Sequence, residues 1–209
     1  TPKKANKDVM LVLNPTIGGF PKSTFTTLKY VFTGTLNPAS GGLNSVAVFR
    51  ANGCYDPYYS GGGAQPRGFD QWMQLYDHYY VKRSTCKANF INGDGSYEVA
   101  VGVSLRDDFA TETNPIDYQE QDTTFTTLGR VGSSKTNTTL TKHYAYSKQN
   151  YQKYVCKENK GSAAADPAEV GYFHVWCGRP WGGDPTNTYI TVTIYYQVLF
   201  TELKDLIQS

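Results

Sequence analysis

The stretch Thr188–Glu202, with the sequence TYITVTIYYQVLFTE, decides the fold class. Apolar side chains occupy every second position of its central part: Ile190, Val192, Ile194, Tyr196, Val198 and Phe200. A helix repeats every 3.6 residues and does not place such an alternation on one face, whereas an extended strand repeats every two residues. The stretch therefore predicts a long β-strand with one buried face.

Seven further segments alternate in the same way or are rich in β-branched and aromatic residues. They are 25–36, 45–54, 79–92, 97–105, 123–131, 138–148 and 170–177. About eight strands close naturally into a double-sheet jelly roll. The turn sequences at 92–95 and 132–134 predict hairpins between the strands that flank them.

One segment has a helical period. In 66–76, the apolar residues Phe69, Trp72, Met73 and Tyr76 stand at i, i+3, i+4 and i+7, which predicts a short helix with Asp70 capping its first turn. The connections 37–43, 56–65, 107–122 and 149–169 are long loops, the usual place for functional surfaces. We expect one domain over 1–209, with 1–24 as an N-terminal extension.

Composition narrows the function classes. The net charge of +2 predicts no nucleic-acid partner by itself, so a basic patch must be local, as at Lys3, Lys4 and Lys7. No apolar run reaches the roughly 18 residues of a membrane span, and no signal peptide opens the chain. The four cysteines, at 54, 86, 156 and 177, form no CxxC pair, which favours reduced thiols near a core.

The segment from Gln65 to Val81, which contains Pro66-Arg67-Gly68-Phe69-Asp70-Gln71-Trp72, resembles a signature of capsid proteins from circovirus-like, Rep-encoding single-stranded DNA viruses. The closing strand and the order of elements are also similar to that family. The resemblance implies an eight-stranded jelly roll of two four-stranded antiparallel sheets. It also implies an icosahedral shell of identical subunits, about 60 copies by symmetry, around circular single-stranded DNA.

The resemblance further implies a virion location, assembly in the host nucleus, and a basic N-terminal arm of which Lys3, Lys4 and Lys7 would be the last residues. The chain opens on Thr1 rather than on Met, so we expect it to continue a longer protein. Two other functions stay open. One is the coat protein of a small RNA virus with the same fold, and the other is a carbohydrate-binding jelly roll that uses Trp181 and the tyrosine-rich loop.

Two sets of candidate site residues follow. Exposed Tyr, Trp and Arg dominate protein interfaces, so we predict subunit contacts by the set Tyr55, Tyr58, Tyr59, Arg179 and Trp181, against the alternative of local loop packing. Basic residues beside aromatic ones on strands predict nucleic-acid contacts by the set Lys82, Arg83 and Lys87, together with Lys29 and Lys142. Solvated strand positions are the alternative for these.

No constellation predicts an enzyme. The histidines His78, His143 and His174 lack metal-ligand spacing, and there is no fingerprint for a nucleotide or other cofactor. Arg106, Asp107, Asp108 and Glu112 could gather carboxylates for a calcium ion, but a solvated loop is the preferred interpretation. We expect no cofactor and no resident metal.

Overall fold

The computed structural model describes residues 19–38, 43–62, 64–146, 157–179 and 183–205. Within these ranges the strands are β1 (Ser23–Leu36), β2 (Asn44–Arg50), β3 (Tyr76–Asn92), β4 (Val99–Arg106), β5 (Thr123–Leu128), β6 (Asn137–Ala145), β7 (Gly161–Ser162), β8 (Tyr172–Gly178) and β9 (Thr188–Leu203). The helices are α1 (Phe69–Leu75) and α2 (Pro115–Gln119), and a 3-10 turn covers Lys157–Asn159.

The strands form two antiparallel sheets. The first, here called the β9 sheet, has the order β1-β9-β3-β6, and the two-residue β7 pairs with β3. The second, the β8 sheet, has the order β2-β8-β4-β5. The first and last long strands lie side by side, and the chain crosses from one sheet to the other after most strands, with β4 and β5 as neighbours in one sheet. This is the order of a jelly roll. The predicted fold class is confirmed, with β7 as a small addition.

The two predicted hairpins are wrong. β3 pairs with β9, β6 and β7, and β4 pairs with β8 and β5, so the turn at 92–95 carries the chain from one sheet to the other. The turn at 132–134 does the same between β5 and β6. Turn residues specify that the chain reverses, but they do not specify which sheet receives it. The predicted strands 45–54 and 123–131 also end earlier, at Arg50 and Leu128.

The core lies between the sheets. Alternate residues of β9 and β3 point into it, and Ile194, Tyr196 and Phe90 are fully buried there. The Tyr196 hydroxyl donates to the Arg50 carbonyl at 2.7 Å, so this buried polar group keeps a partner.

Helix α1 closes one end of the sandwich. The Trp72 ring stacks on Phe200 with centroids 5.5 Å apart, as the sequence predicts for the face of this helix. The predicted cap is wrong. The helix begins after Gly68, which has a left-handed backbone (φ 87) and gives no side-chain cap, and Asp70 contributes only a negative charge to the first turn.

The outer faces of the two sheets differ. Helix α2, which the sequence analysis placed inside a loop, covers the centre of the β8 sheet: its Tyr118 stacks on Trp176 at 5.5 Å. Trp176 is fully buried, and its indole nitrogen donates to Ser104 Oγ at 3.1 Å. The outer face of the β9 sheet carries exposed residues on all four long strands.

Candidate nucleic-acid interface

Strand register places residues from distant parts of the chain in rows across the outer face of the β9 sheet. One row contains Lys29, Tyr195, Thr85 and His143, from β1, β9, β3 and β6 in order. The next row toward one end of the strands contains Thr27, Gln197, Arg83 and Ala145. The next row in the other direction contains Val31, Thr193, Lys87 and Thr141. Cations, hydroxyl groups and aromatic rings thus share one surface.

The central part of this face is positively charged because the carboxylates of its long strands, Asp77 and Glu202, lie only at one end, where Glu202 pairs with His78 and Lys160. The strand segments 23–36, 82–92, 137–145 and 188–201 contain no Asp or Glu. Lys29, Arg83 and Lys87 are exposed, and within the described residues none of the three forms an ion pair. The β8 sheet is different, because its Arg50 and Arg106 are each bound to two carboxylates.

Tyr195 lies at the centre of the charged face. The Lys29 and Lys87 ammonium groups stand 5.9 and 5.8 Å from the centroid of its ring. Such cation–π contacts hold the two lysines near each other without neutralising them. Their charge remains available to an external anion.

A β-bulge lets two adjacent basic residues avoid the core. Val81 pairs with Val198 and Arg83 with Gln197, so Lys82 is the extra residue. Its ammonium group lies 5.4 Å from the centroid of the Phe25 ring, on the same side of the sheet. Of the predicted basic strand residues, the structure brings Lys29, Lys82, Arg83 and Lys87 together. Lys142 is separate, because it forms an ion pair with Asp122.

The predicted tyrosine contacts separate into different environments. Tyr58 packs inside its own subunit, with its ring 4.4 Å from Phe32 and 5.1 Å from Phe49 between centroids. Tyr59 belongs to a surface cluster, with its ring 4.8 Å from Phe109 and 5.5 Å from Tyr172. For Tyr58, therefore, the alternative of local packing describes the structure.

Tyr55 is partly exposed, and its backbone is anchored by a residue that the sequence analysis did not single out. Asp166 accepts from the Tyr55 and Asp56 amides and from the Tyr79 hydroxyl, the last at 2.9 Å. Burial raises the pKa of Asp166, although these hydrogen bonds and Arg50 oppose the shift. The anchor fixes the loop that carries Tyr55.

Arg179 donates from Nη1 to the Gly183 carbonyl, and its buried Nε has no hydrogen-bond partner among the described residues. Trp181 and the three lysines Lys3, Lys4 and Lys7 lie outside the described residues. Their predicted roles stay predictions.

The carboxylates proposed for calcium are bound to Arg106. Its guanidinium contacts Glu112 at 2.5 Å and Asp108 at 3.0 Å, and hydrogen bonds from Arg106 and Gln121 lower the pKa of Glu112. In the described part of the chain no group of three or more His, Cys, Asp or Glu side chains is arranged to hold a metal ion. An internal cation thus occupies the place suggested for a calcium ion.

The described cysteines do not offer a nucleophile. Cys54, Cys86 and Cys177 are free and buried, and burial raises the pKa of the Cys177 thiol to about 12. A thiol that stays protonated at neutral pH is a poor nucleophile. Among the described helices, none is both long and apolar enough to cross a membrane.

Comparisons with solved structures agree with this fold. Over 87% of this chain and 96% of the other, the structure is similar to that of Cocksfoot mottle virus, with a TM-score of 0.53 and 12% identity. The chain has the jelly-roll fold of viral coat proteins. The BFDV capsid protein in its 60-mer gives a TM-score of 0.47 at 10% identity, over 91% of this chain and 100% of the other. No protein-family model and no curated protein matches the sequence.

Proposed function

We propose that this chain is the shell-forming domain of a small icosahedral virus capsid protein, and that it assembles around nucleic acid held against the outer face of its β9 sheet. The observation that carries the proposal is a jelly roll in which helix α2 packs on one sheet, while the other presents Lys29, Arg83 and Lys87 without ion pairs among the described residues. A covered face completes the core of one subunit. An open, cationic face suits a polyanion.

The physical basis is counterion release. Each phosphate that a lysine or arginine neutralises frees a condensed cation, so binding gains free energy without any sequence preference. Aromatic rings beside the cations add stacking that tolerates every base. The four basic residues Lys29, Lys82, Arg83 and Lys87 with Tyr195 and Phe25 supply both kinds of contact on one sheet. A coat protein needs this kind of binding, because it encloses a whole genome.

The finer proposal is a shell of about 60 identical subunits around circular single-stranded DNA, assembled in the host nucleus. It rests on the family resemblance of the 65–81 segment. Tyr55, Tyr59, Arg179 and Trp181 are the proposed subunit contacts, and Lys3, Lys4 and Lys7 the proposed end of a genome-binding arm. If the packaged nucleic acid is RNA, the coat-protein function stands and the genome class changes.

Electron microscopy of the purified chain, at several protein and salt concentrations, tests the proposal. We expect closed particles of uniform size that protect nucleic acid from nuclease. Sequencing the protected material separates circular DNA from RNA. A chain that stays a monomer or a small oligomer under every condition would overturn the capsid function and leave the carbohydrate-binding alternative to be tested with sugars.

A further inference from the structure

We infer that the outer face of the β9 sheet contains a discrete binding site for one nucleotide unit, with its phosphate against Arg83 and His143 and its base against Tyr195. The inference rests on the proposed function, because it describes how the charged face would hold a nucleic acid. It adds a defined ligand position to a surface that otherwise attracts any polyanion.

The first observation is a cavity of about 300 Å³ on this face. It is bordered by residues of all four long strands of the sheet: Thr27, Arg83, Ser84, Thr85, His143, Tyr144, Ala145, Tyr195 and Gln197. The volume lies at the lower end of the range for small-molecule sites, about 300 to 1,000 Å³. A single nucleotide fits that scale, whereas a duplex does not.

The second observation is the set of polar groups around the cavity. Arg83 is exposed, and its side chain forms neither a hydrogen bond nor an ion pair among the described residues. Its guanidinium is the side chain best suited to grip a phosphate with two parallel hydrogen bonds. No Asp or Glu of the described ranges lines the cavity to compete for it.

The third observation concerns His143, which lies on β6, the strand that pairs with the Arg83 strand β3. Its Nδ1 lies 3.0 Å from the Thr85 hydroxyl. This contact orients the ring and leaves Nε2 for an external partner. In the tautomer in which Nδ1 accepts from the hydroxyl, Nε2 carries the proton and can donate to a phosphate. A phosphate oxygen between Arg83 and His143 would meet two donors from two strands.

Tyr195 provides the ring on which the nucleotide base would stack. Its ring borders the cavity and lies between the Lys29 and Lys87 ammonium groups. A base that stacks on this ring leaves the flexible lysines free to turn toward the phosphates on either side. Stacking of this kind requires an unpaired base, so the site favours single strands over duplexes.

Fluorescence anisotropy of the full chain with labelled 20-residue oligothymidylate tests the site. We expect Arg83→Gln to weaken binding about tenfold and to lower the slope of log affinity against log salt by about 0.7, the value for one lost phosphate contact on a single strand. Tyr195→Leu should weaken binding about tenfold without changing that slope. His143→Gln should also weaken binding about tenfold.

The matched control is Arg130→Gln, which removes the same charge from an exposed residue in the turn between β5 and β6. It should change the affinity less than twofold. If Arg130→Gln and Arg83→Gln weaken binding equally, the attraction is diffuse and the site does not exist. If duplex of the same length binds as well as the single strand, the stacking contact is overturned.

Competition separates a free nucleotide from a polynucleotide. Thymidine monophosphate should displace the oligonucleotide at millimolar concentration, and Arg83→Gln should abolish this competition. Inorganic phosphate should compete at least tenfold less well, and equal competition would remove the base from the site. Particles that form normally while these variants bind like wild type would overturn the site alone. Absent particles with site-specific binding intact would overturn only the capsid function.

Discussion

His174 is a buried base held in its neutral form. None of its side chain is exposed on β8, and its Nε2 lies 2.9 Å from the Asp108 carbonyl oxygen, which can only accept. Nε2 therefore carries the proton, and Nδ1 accepts from the Tyr118 hydroxyl at 2.9 Å. Burial lowers the pKa of His174 below its usual 6.5.

This arrangement predicts that the protein loses stability in mild acid. Below pH 6.5 the unfolded chain binds a proton at His174, whereas in the folded chain this histidine stays neutral. The free energy of unfolding therefore decreases as the pH is lowered, by up to about 1.4 kcal/mol per pH unit. Urea denaturation at intervals from pH 7.5 to 5.0 measures this slope. His174→Gln should be less stable than wild type at pH 7.5, but its free energy of unfolding should change less between pH 7.5 and 5.0. A variant with the same slope as wild type would assign the effect to other groups.

Gly102 on β4 predicts a steric effect at one residue. Gly102 pairs with Trp176, and a Cβ at this position would collide with the indole ring. The ring cannot shift away, because it is buried and stacked on Tyr118. Gly102→Ala should cost about 1–3 kcal/mol by overpacking, measured as a lower urea midpoint. Gly95→Ala is the matched control, because its Cβ would meet nothing within 4 Å. It should change the free energy of unfolding by less than about 0.5 kcal/mol, and an equal loss would contradict the steric explanation.

At the scale of elements, the turn from β3 to β4 is held by one buried carboxylate. Asp94 accepts from the Ser96 and Tyr97 amides at 2.6 and 2.8 Å, and from the amide and hydroxyl of Thr186 at 2.8 and 3.1 Å. Thr186 lies just before β9, so Asp94 ties the crossing between sheets to the start of the central strand. Burial opposes the charge, but these hydrogen bonds outweigh it and lower the pKa of Asp94.

We therefore expect Asp94→Asn to destabilise the fold by about 1–3 kcal/mol at pH 7, because an amide nitrogen replaces an acceptor that faces donors. The loss should shrink as the pH falls below 3.8, because the Asp94 carboxylate of the unfolded wild-type chain binds a proton before that of the folded chain, and this removes the stability that the charged form contributes. Denaturation of both proteins at pH 7 and pH 3 measures this change. The same difference in stability at both pH values would show that the charge of Asp94 does not matter.

The sequence predicts strands better than their partners. A half-buried strand must alternate apolar and polar side chains, so the long segments around Tyr196 and Phe90 can be predicted from the local sequence. The sheet that the chain enters after Asp94 depends on a hydrogen bond to Thr186, 92 residues away. No local sequence pattern predicts this contact. Helix α2 has only five residues, too few to show a helical period, and its burial depends on Trp176 from β8.

The candidate interface shows the same limit. Lys82, Arg83 and Lys87 share one strand, so the sequence predicts that they are neighbours. Tyr195 and His143 reach the same face only through the pairing of β3 with β9 and β6. Register between distant strands sets those distances, and it is a property of the whole fold.

At the scale of the molecule, the proposed subunit contact Tyr59 belongs to a surface cluster with Phe109 and Tyr172. Phe109 is 51% exposed although its ring packs on both tyrosines, so an exposed aromatic anchor is already positioned. Phe109→Ser should prevent particle formation while shifting the free energy of unfolding by less than about 0.5 kcal/mol.

Tyr58→Ser provides the contrast, because Tyr58 packs on Phe32 and Phe49. It should cost about 2–4 kcal/mol of stability by leaving a cavity. Electron microscopy and urea denaturation of both variants separate the two roles. Normal particles from Phe109→Ser would remove the cluster from the interface.

The charge asymmetry between the sheets predicts what the particles contain. Replacing Lys29, Arg83 and Lys87 with glutamine removes three unpaired cations from one face, and should lower the salt slope of single-strand binding by about 2. The subunits should still close into particles, since these residues lie away from the aromatic cluster, but the particles should contain little nucleic acid.

Replacing the exposed residues Lys22, Arg130 and Lys135 lowers the net charge equally, and those particles should package normally. The ratio of absorbance at 260 and 280 nm distinguishes the two. Equal loss in both variants would mean that net charge, rather than the β9 sheet, attracts the genome.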